Sequence, residues 1–421
     1  MNGKHRGLAG LGILWLAVAT TSATAAPPLS DVSERARRVH DSAILFDGHN
    51  DLPWLLRDLG DVRFEKIDLS QRLGSDQAQT DIPRLREGGV KAQFWSVYIP
   101  SEQPNPARTV TAQIDLVHRM VERYPNDLEM AYSADDLERI VKAGKIASLI
   151  GIEGGVAIEN DLAEIRAFHR LGARYMTLTH NVTLDWADAA TDVPRHHGLT
   201  PFGERVVREM NRVGMLVDIS HVSPETMADA LRVSEAPLIA SHSGAFAIAP
   251  SPRNVPDEIL KALPRNGGVI MVNFYSGFVV PEAARQTAKA RRELGEKFPN
   301  PAEFKKAMSA WSKTYKMPRG TIADVADHIE HIIKVAGIDH VGIGSDFDGI
   351  TSWPVGLEDV SCFPRLTEEL LNRGHSDDDV RKILGGNALR AFREAGKVAS
   401  KLQQTRKPEV DQPTPTPSPE H

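Results

Sequence analysis

Eight short apolar runs, separated by longer amphipathic stretches, limit what this chain can fold into more than any other feature of its sequence. They are Ala43–Gly48, Lys91–Tyr98, Ile146–Gly151, Arg174–Thr179, Met215–Ser220, Leu238–Ser241, Val269–Phe274 and His340–Ser345. Several are almost continuous in apolar residues, as strands of a parallel sheet buried on both faces must be. The stretches between them, among them Thr111–Tyr124, Asp161–Leu171, Pro201–Val213 and Ala323–Ala336, read as helices, with Gly214 and Gly337 placed to stop two of them. This alternation predicts a closed (β/α)8 TIM barrel. An open doubly wound sheet would carry a glycine-rich phosphate loop after its first strand. Gly342-Ile343-Gly344 lacks the third glycine at the required spacing, and no Walker A sequence occurs.

At 421 residues the chain could hold two or three average domains, but residues 26–402 show no repeat, low-complexity stretch or linker. A single catalytic barrel domain with insertions is therefore expected there. The formal net charge of −6 argues against nucleic acid as a partner, because phosphate binding needs a basic surface. Cys362, the one cysteine, permits no intrachain disulfide. Residues 1–25 read as a signal peptide: Lys4 and Arg6, an apolar stretch from Leu8 to Ala19, then Ala23-Thr24-Ala25 as a small-residue cleavage site. Export to the periplasm or medium is the expectation. That apolar stretch is short of the ~20 residues that cross a bilayer. Residues 403–421 end in a Pro-Thr-Pro-Thr-Pro-Ser-Pro run, expected to be a disordered tail, and lack a hydrophobic lipid-anchor signal, so no stable membrane anchor is expected.

Polar residues collect at the C-terminal ends of the predicted strands: His49 and Asp51, Glu153, His180, His221, His242 and Asp346. In a barrel enzyme that rim holds the catalytic side chains. His49 and Asp51, two apart in extended backbone, can approach one ion together, and imidazole and carboxylate both suit zinc. Asp47 shares their parity and is a candidate supporting carboxylate. Glu153 has two oxygens with which to bridge two cations. His221 and His242 end consecutive strands, which lie about 5 Å apart in a parallel sheet. These five ligands suffice for two ions sharing one bridge. His328 and His331, at helical spacing, read instead as a partly buried or solvated helix face, and His196 and His197 as loop residues. No His-Glu-x-x-His helix and no Gly-x-Ser-x-Gly elbow is present. Arg253, on its own, reads as a surface salt-bridge residue.

The segments DGHNDLPW (Asp47–Trp54), GIEGG (Gly151–Gly155), Leu178–His180 with Trp186-Ala187-Asp188, DISHVS (Asp218–Ser223), SHS (Ser241–Ser243), PRNVP (Pro252–Pro256) and GSDFDG (Gly344–Gly349) together resemble the membrane dipeptidase (renal dipeptidase) family of zinc metallopeptidases, within the amidohydrolase-like barrels. They stand in family order and cover about residues 35 to 395. The resemblance implies two zinc ions per chain: His49 and Asp51 on one, His221 and His242 on the other, and Glu153 with a water or hydroxide between them. It also implies that His180, Arg253 and Asp346 handle substrate and protons. The substrates it implies are dipeptides, with a D-residue at the C-terminal position and β-lactams as further family possibilities. Arg253 would hold the substrate carboxylate through two parallel hydrogen bonds. Asp346, rather than Asp348, would carry the proton, because it ends the last predicted strand. A homodimer is the family expectation. The chain lacks the disulfide cysteines and lipid-anchor signal of mammalian members.

Two alternatives remain at this level. Another binuclear barrel hydrolase, such as a deaminase or phosphotriesterase, would often bridge its metals with a modified lysine, where this chain has Glu153. A non-catalytic periplasmic metal or peptide binder would have no use for Asp346.

Overall fold

Each of the eight apolar runs forms a strand, and a ninth strand that the pattern does not announce joins them. The computed structural model describes residues 31–410; the expected signal peptide over 1–25 lies outside the described residues. The strands are β1 (Leu45–Asn50), β2 (Val90–Tyr98), β3 (Leu128–Met130), β4 (Ile146–Glu153), β5 (Ala173–Thr177), β6 (Leu216–Asp218), β7 (Ile239–Ala240), β8 (Val269–Val272) and β9 (Val341–Ile343). All pairings are parallel. The order β2-β1-β9-β8-β7-β6-β5-β4, closed by β2 on β4, makes an eight-stranded barrel with helices between its strands. β3 stands outside this ring and pairs with the first half of β4, where it shares an edge with β5. Its sequence, Leu-Glu-Met, is too short and too polar to stand out as a buried run.

Local chemistry sets the helix ends. The Thr200 hydroxyl accepts the Gly203 N–H at the start of the helix Pro201–Val213, and Gly214, at φ +88°, ends it in a left-handed turn. Asp161 likewise caps the helix Leu162–Leu171.

Two apolar layers hold the barrel. Inside, the Phe46 and Phe94 rings stack with 5.2 Å between centres, and Phe94 meets Tyr175 at 4.7 Å. Gly151 makes room for that tyrosine: a Cβ there would lie 2.0 Å from the ring. The long helix Asn387–Thr405 closes the end of the barrel where the strands begin, directing Ala388, Ala391, Phe392 and Ala395 into this inner cluster. Outside, the strands pack on the surrounding helices through a larger cluster. The closing seam is polar. Asp47, fully buried, accepts the Ser345 N–H at 2.7 Å, the Ser345 hydroxyl at 2.6 Å and the Gln93 amide at 3.1 Å. It thereby ties β2, β1 and the end of β9 together, and burial pushes its carboxyl up to about 6.

Two expectations are corrected. Residues 403–410, placed in the disordered tail, are ordered as far as described: the helix runs to Thr405, Glu409 pairs with Arg205 at 2.8 Å, and the buried Glu209 accepts the Glu409 N–H. His328 is not half-solvated but fully buried, because the chain from Ala245 to Val279 lies over its helix. Its Nδ1 accepts the Ala245 N–H, so the ring is neutral and donates from Nε2 to the Val279 carbonyl. His331 pairs with Asp257 at 2.7 Å. No helix among the described residues is long and apolar enough to cross a membrane.

Burial lowers the His328 pKa from 6.5 to about 4. Above pH 6.5 the ring is neutral in both folded and unfolded chains. As pH falls from 6.5 towards 4, only the unfolded chain takes up the proton, so stability falls by up to about 1.4 kcal/mol per pH unit from this ring. Replacing His328 by glutamine is expected to lower stability at pH 7.5 and to flatten its dependence between pH 6.5 and 4. Chemical denaturation across that range checks it; an unchanged slope would count against the assignment.

Candidate active site

The strand ends bring the predicted residues into one mouth. Glu153, the last residue of β4, is its centre. Its Oε1 lies 3.0 Å from His221 Nε2, 3.4 Å from His242 Nε2 and 3.8 Å from His180 Nε2, and its Oε2 lies 3.6 Å from His49 Nε2. His49 Nε2 also faces Asp51 at 3.3 Å and Asp346 at 4.0 Å. Three overlapping groups could hold a cation: His49, Glu153 and His242; Glu153, His180 and His221; and His49, Asp51 and Asp346.

Hydrogen bonds behind the mouth orient the rings. Ser241 Oγ donates to Asp218 at 2.6 Å and so must accept from His242 Nδ1 at 2.8 Å. The Asn181 carbonyl oxygen faces His221 Nδ1 at 3.3 Å, which makes that nitrogen a donor as well. Both rings then turn the lone pair of Nε2 towards the mouth, and those two nitrogens lie 2.9 Å apart. Two facing lone pairs repel, and a cation relieves the repulsion. The buried His49 Nε2 and Asp51 Oδ1 have no hydrogen-bond partner, although each is placed to bind. This donor set therefore fits divalent metal. Tyr175 OH meets His49 Nδ1 at 2.8 Å and completes the support.

Electrostatics agree with that fit at His221 and His242, whereas at His49 burial is outweighed by Tyr175, Glu153 and Asp51, which hold the ring well above the usual histidine range. Burial, then the charges of Arg253 and His180, hold His221 well below the usual histidine range; burial and His49 do the same for His242. Neutral imidazole is the form a metal requires. Burial would raise Glu153, but the charge of His49 and the close approach of the His221, His242 and His49 rings carry its carboxyl well below the usual range. Asp346 goes the other way: burial pushes it well above that range, against His49, with Asp51 and Glu153 adding to the rise.

Backbone geometry delivers two of these groups. His221 and Asp346 sit in left-handed turns, at φ 68° and 65°, directly beyond β6 and β9. Such conformations gather at functional sites. Gly349 must lack a side chain, since a Cβ would lie 2.0 Å from Asp51 Oδ2 and 2.7 Å from Asp346 Oδ1. The mouth opens into a cavity of about 470 Å³, lined in part by Trp54, Tyr98, Arg253, Tyr275 and Phe278. Arg253 lines this cavity and is not a surface residue. It is 2% exposed, Nη2 donates to the His242 carbonyl at 3.2 Å, Nη1 reaches Ser243 Oγ at 3.4 Å, and Nε has no partner. Burial lowers its pKa to about 10, leaving it charged at neutral pH. Asp348 lines the same cavity but is engaged by the Gln79 N–H at 2.6 Å. Asp47 faces the seam, not the mouth.

Tyr175, Asn273 and Asn181 were not anticipated. Asn273 Nδ2 donates to Asp346 Oδ2 at 2.8 Å. All three stand in or beside apolar strands, where one tyrosine or asparagine carries no signal of its own.

A closed parallel barrel with imidazoles and carboxylates converging at the C-terminal ends of its strands defines a metallohydrolase. The model of the membrane dipeptidase family (peptidase family M19) matches residues 33–406, and the chain belongs to that family. It is thus a metal-dependent dipeptidase by class. Among solved structures, the probable dipeptidase PvdM from Pseudomonas aeruginosa is 25% identical with a TM-score of 0.74, the match covering 87% of this chain and 98% of that one. The metallopeptidase dipeptidase AC is 26% identical with a TM-score of 0.68, covering 84% and 99%. A metallopeptidase from Rhodobacter sphaeroides, solved with a phosphinate mimic of the dipeptide L-Ala-D-Ala, is 25% identical with a TM-score of 0.68, covering 84% and 100%.

Proposed function

We propose that the protein is a zinc-dependent dipeptidase with a binuclear centre, accepting a D-residue as well as an L-residue at the C-terminal position of its substrate. The observation that carries this reading is the convergence of His49, His180, His221 and His242 on the two oxygens of Glu153, all within 3.8 Å. His49 and Asp51 would hold one zinc and His221 and His242 the other, with Glu153 shared. Zinc bound there supplies water activation and carbonyl polarisation at neutral pH.

The chain's own groups do the rest. Arg253, a buried fork with an unused Nε–H, binds the terminal carboxylate of the substrate. A carboxylate held there one residue beyond the scissile bond would set dipeptide length. His180, at the cavity wall, donates a hydrogen bond to the carbonyl oxygen as negative charge develops. Asp346 takes a proton from the attacking water and passes it to the leaving amine. Its upward displacement, driven by burial, suits a group that takes up and releases a proton. Trp54 and Tyr98, edge to face at 4.9 Å, wall off bulk water on one side. The Rhodobacter sphaeroides relative, bound to an L-Ala-D-Ala mimic, supports tolerance of a D-residue.

Metal content per chain together with cleavage of matched L-L and L-D dipeptides tests the reading. Arg253→Met is expected to lower kcat/KM on dipeptides by about 10²–10³-fold with metal content intact, the scale of a lost buried charge pair at ~3–4 kcal/mol. Unchanged efficiency would remove Arg253 from the site. Hydrolysis of nucleobases or phosphotriesters in place of dipeptides would overturn the substrate class.

A further inference from the structure

A second cavity, of about 450 Å³, opens at the opposite end of the barrel, where the strands begin. Arg174, the second residue of β5, lines it and is 8% exposed. Among the described residues its guanidinium meets three backbone carbonyls, Tyr132 at 2.7 Å, His169 at 2.9 Å and Ala173 at 2.8 Å, and lies over the Tyr132 ring at 5.3 Å, but pairs with no carboxylate. Carbonyl oxygens satisfy donors but do not cancel a charge. Asp136, the acid nearest in effect, already accepts from Ser133 Oγ at 2.9 Å and pairs with Arg139. The other cations of the wall are matched, Arg393 by Glu138 at 2.7 Å and Lys397 by Glu394 at 2.6 Å. One buried positive charge is therefore left over. Phe392, Val213 and Ala399 supply an apolar wall beside it.

We propose that this cavity binds a small organic carboxylate, its anionic head on Arg174 and its apolar body against Phe392 and Val213. The planar guanidinium suits a carboxylate fork, and a single uncompensated charge suits a monoanion. His169 stands in the same wall, where burial and the charges of Arg174, Arg170 and Arg212 lower its pKa to about 4. An anion on Arg174 would offset that repulsion.

Benzoate is the probe, used on the full-length metal-loaded enzyme. NMR titration of the His169 ring, assigned with a His169→Gln variant, is expected to show its pKa rising by about one unit or more at saturation. Arg253→Met must leave this shift unchanged, which separates the cavity from the active site. Arg174→Met should abolish it. Since that change also disturbs a buried group, Gly396→Leu is the second test: Gly396 lines the cavity, and a Cβ there meets open space, so a leucine fills the cavity without displacing the helix. It should weaken benzoate at least about tenfold while the fold is kept. No shift in the wild type, or an equal shift in Gly396→Leu, would overturn the proposal.

Discussion

Replacing Glu153 by glutamine is expected to strip the enzyme of its metal and lower kcat/KM on dipeptides by on the order of 10⁴-fold or more, about 5 kcal/mol of transition-state stabilisation. Glutamine keeps the length and shape of the side chain and one carbonyl acceptor, so the barrel should remain folded. What disappears is the charge. Four imidazoles approach these oxygens within 3.8 Å, and an amide would present N–H groups to nitrogens that already turn lone pairs inward. Outer partners of metal ligands commonly cost 10–100-fold when removed; a carboxylate placed between two cations should cost far more. Elemental analysis and steady-state kinetics on the same preparation check this. Full metal content with normal turnover would dismantle the proposed centre.

The second large effect belongs to Asp346. Asparagine there should leave metal content and KM close to wild type and lower kcat by about 10³-fold, within the range of a lost general acid–base group. The change is gentle structurally. Asparagine accepts the left-handed turn at φ 65°, and its carbonyl oxygen can receive the Asn273 amide in place of Oδ2. A fall in kcat thus reports proton transfer and not collapse of the loop. Turnover within a few-fold of wild type would pass the proton-carrying role to another group, with Asp348 the first to examine.

Much of this site could be read before the fold was seen, for a physical reason. A parallel barrel presents the ends of its strands to one mouth, so a histidine or carboxylate directly after an apolar run is placed by topology alone, as with Glu153, His221 and His242. Side chains that act from within a strand carry no such mark. Tyr175 looks like core, and only Gly151 opposite it creates the slot that lets its hydroxyl reach His49. Arg253 was ambiguous for the opposite reason: it lies thirteen residues beyond the end of β7, in a loop whose return to the mouth no local pattern encodes. His328 misled because helical spacing reports which face is polar, not which segment later covers it. The short β3 was missed because an added strand at a barrel edge needs neither length nor hydrophobicity.

The helix Asn387–Thr405 has a consequence for how the molecule is assembled. It arrives after all nine strands, yet Phe392 reaches to 6.5 Å from Phe94 and seals the interior. Until it docks, the ring is a tube open at its base, with aromatic residues facing solvent. A chain that ended before Asn387 would hold every residue of the proposed metal centre and still leave Phe94 without its Phe392 neighbour.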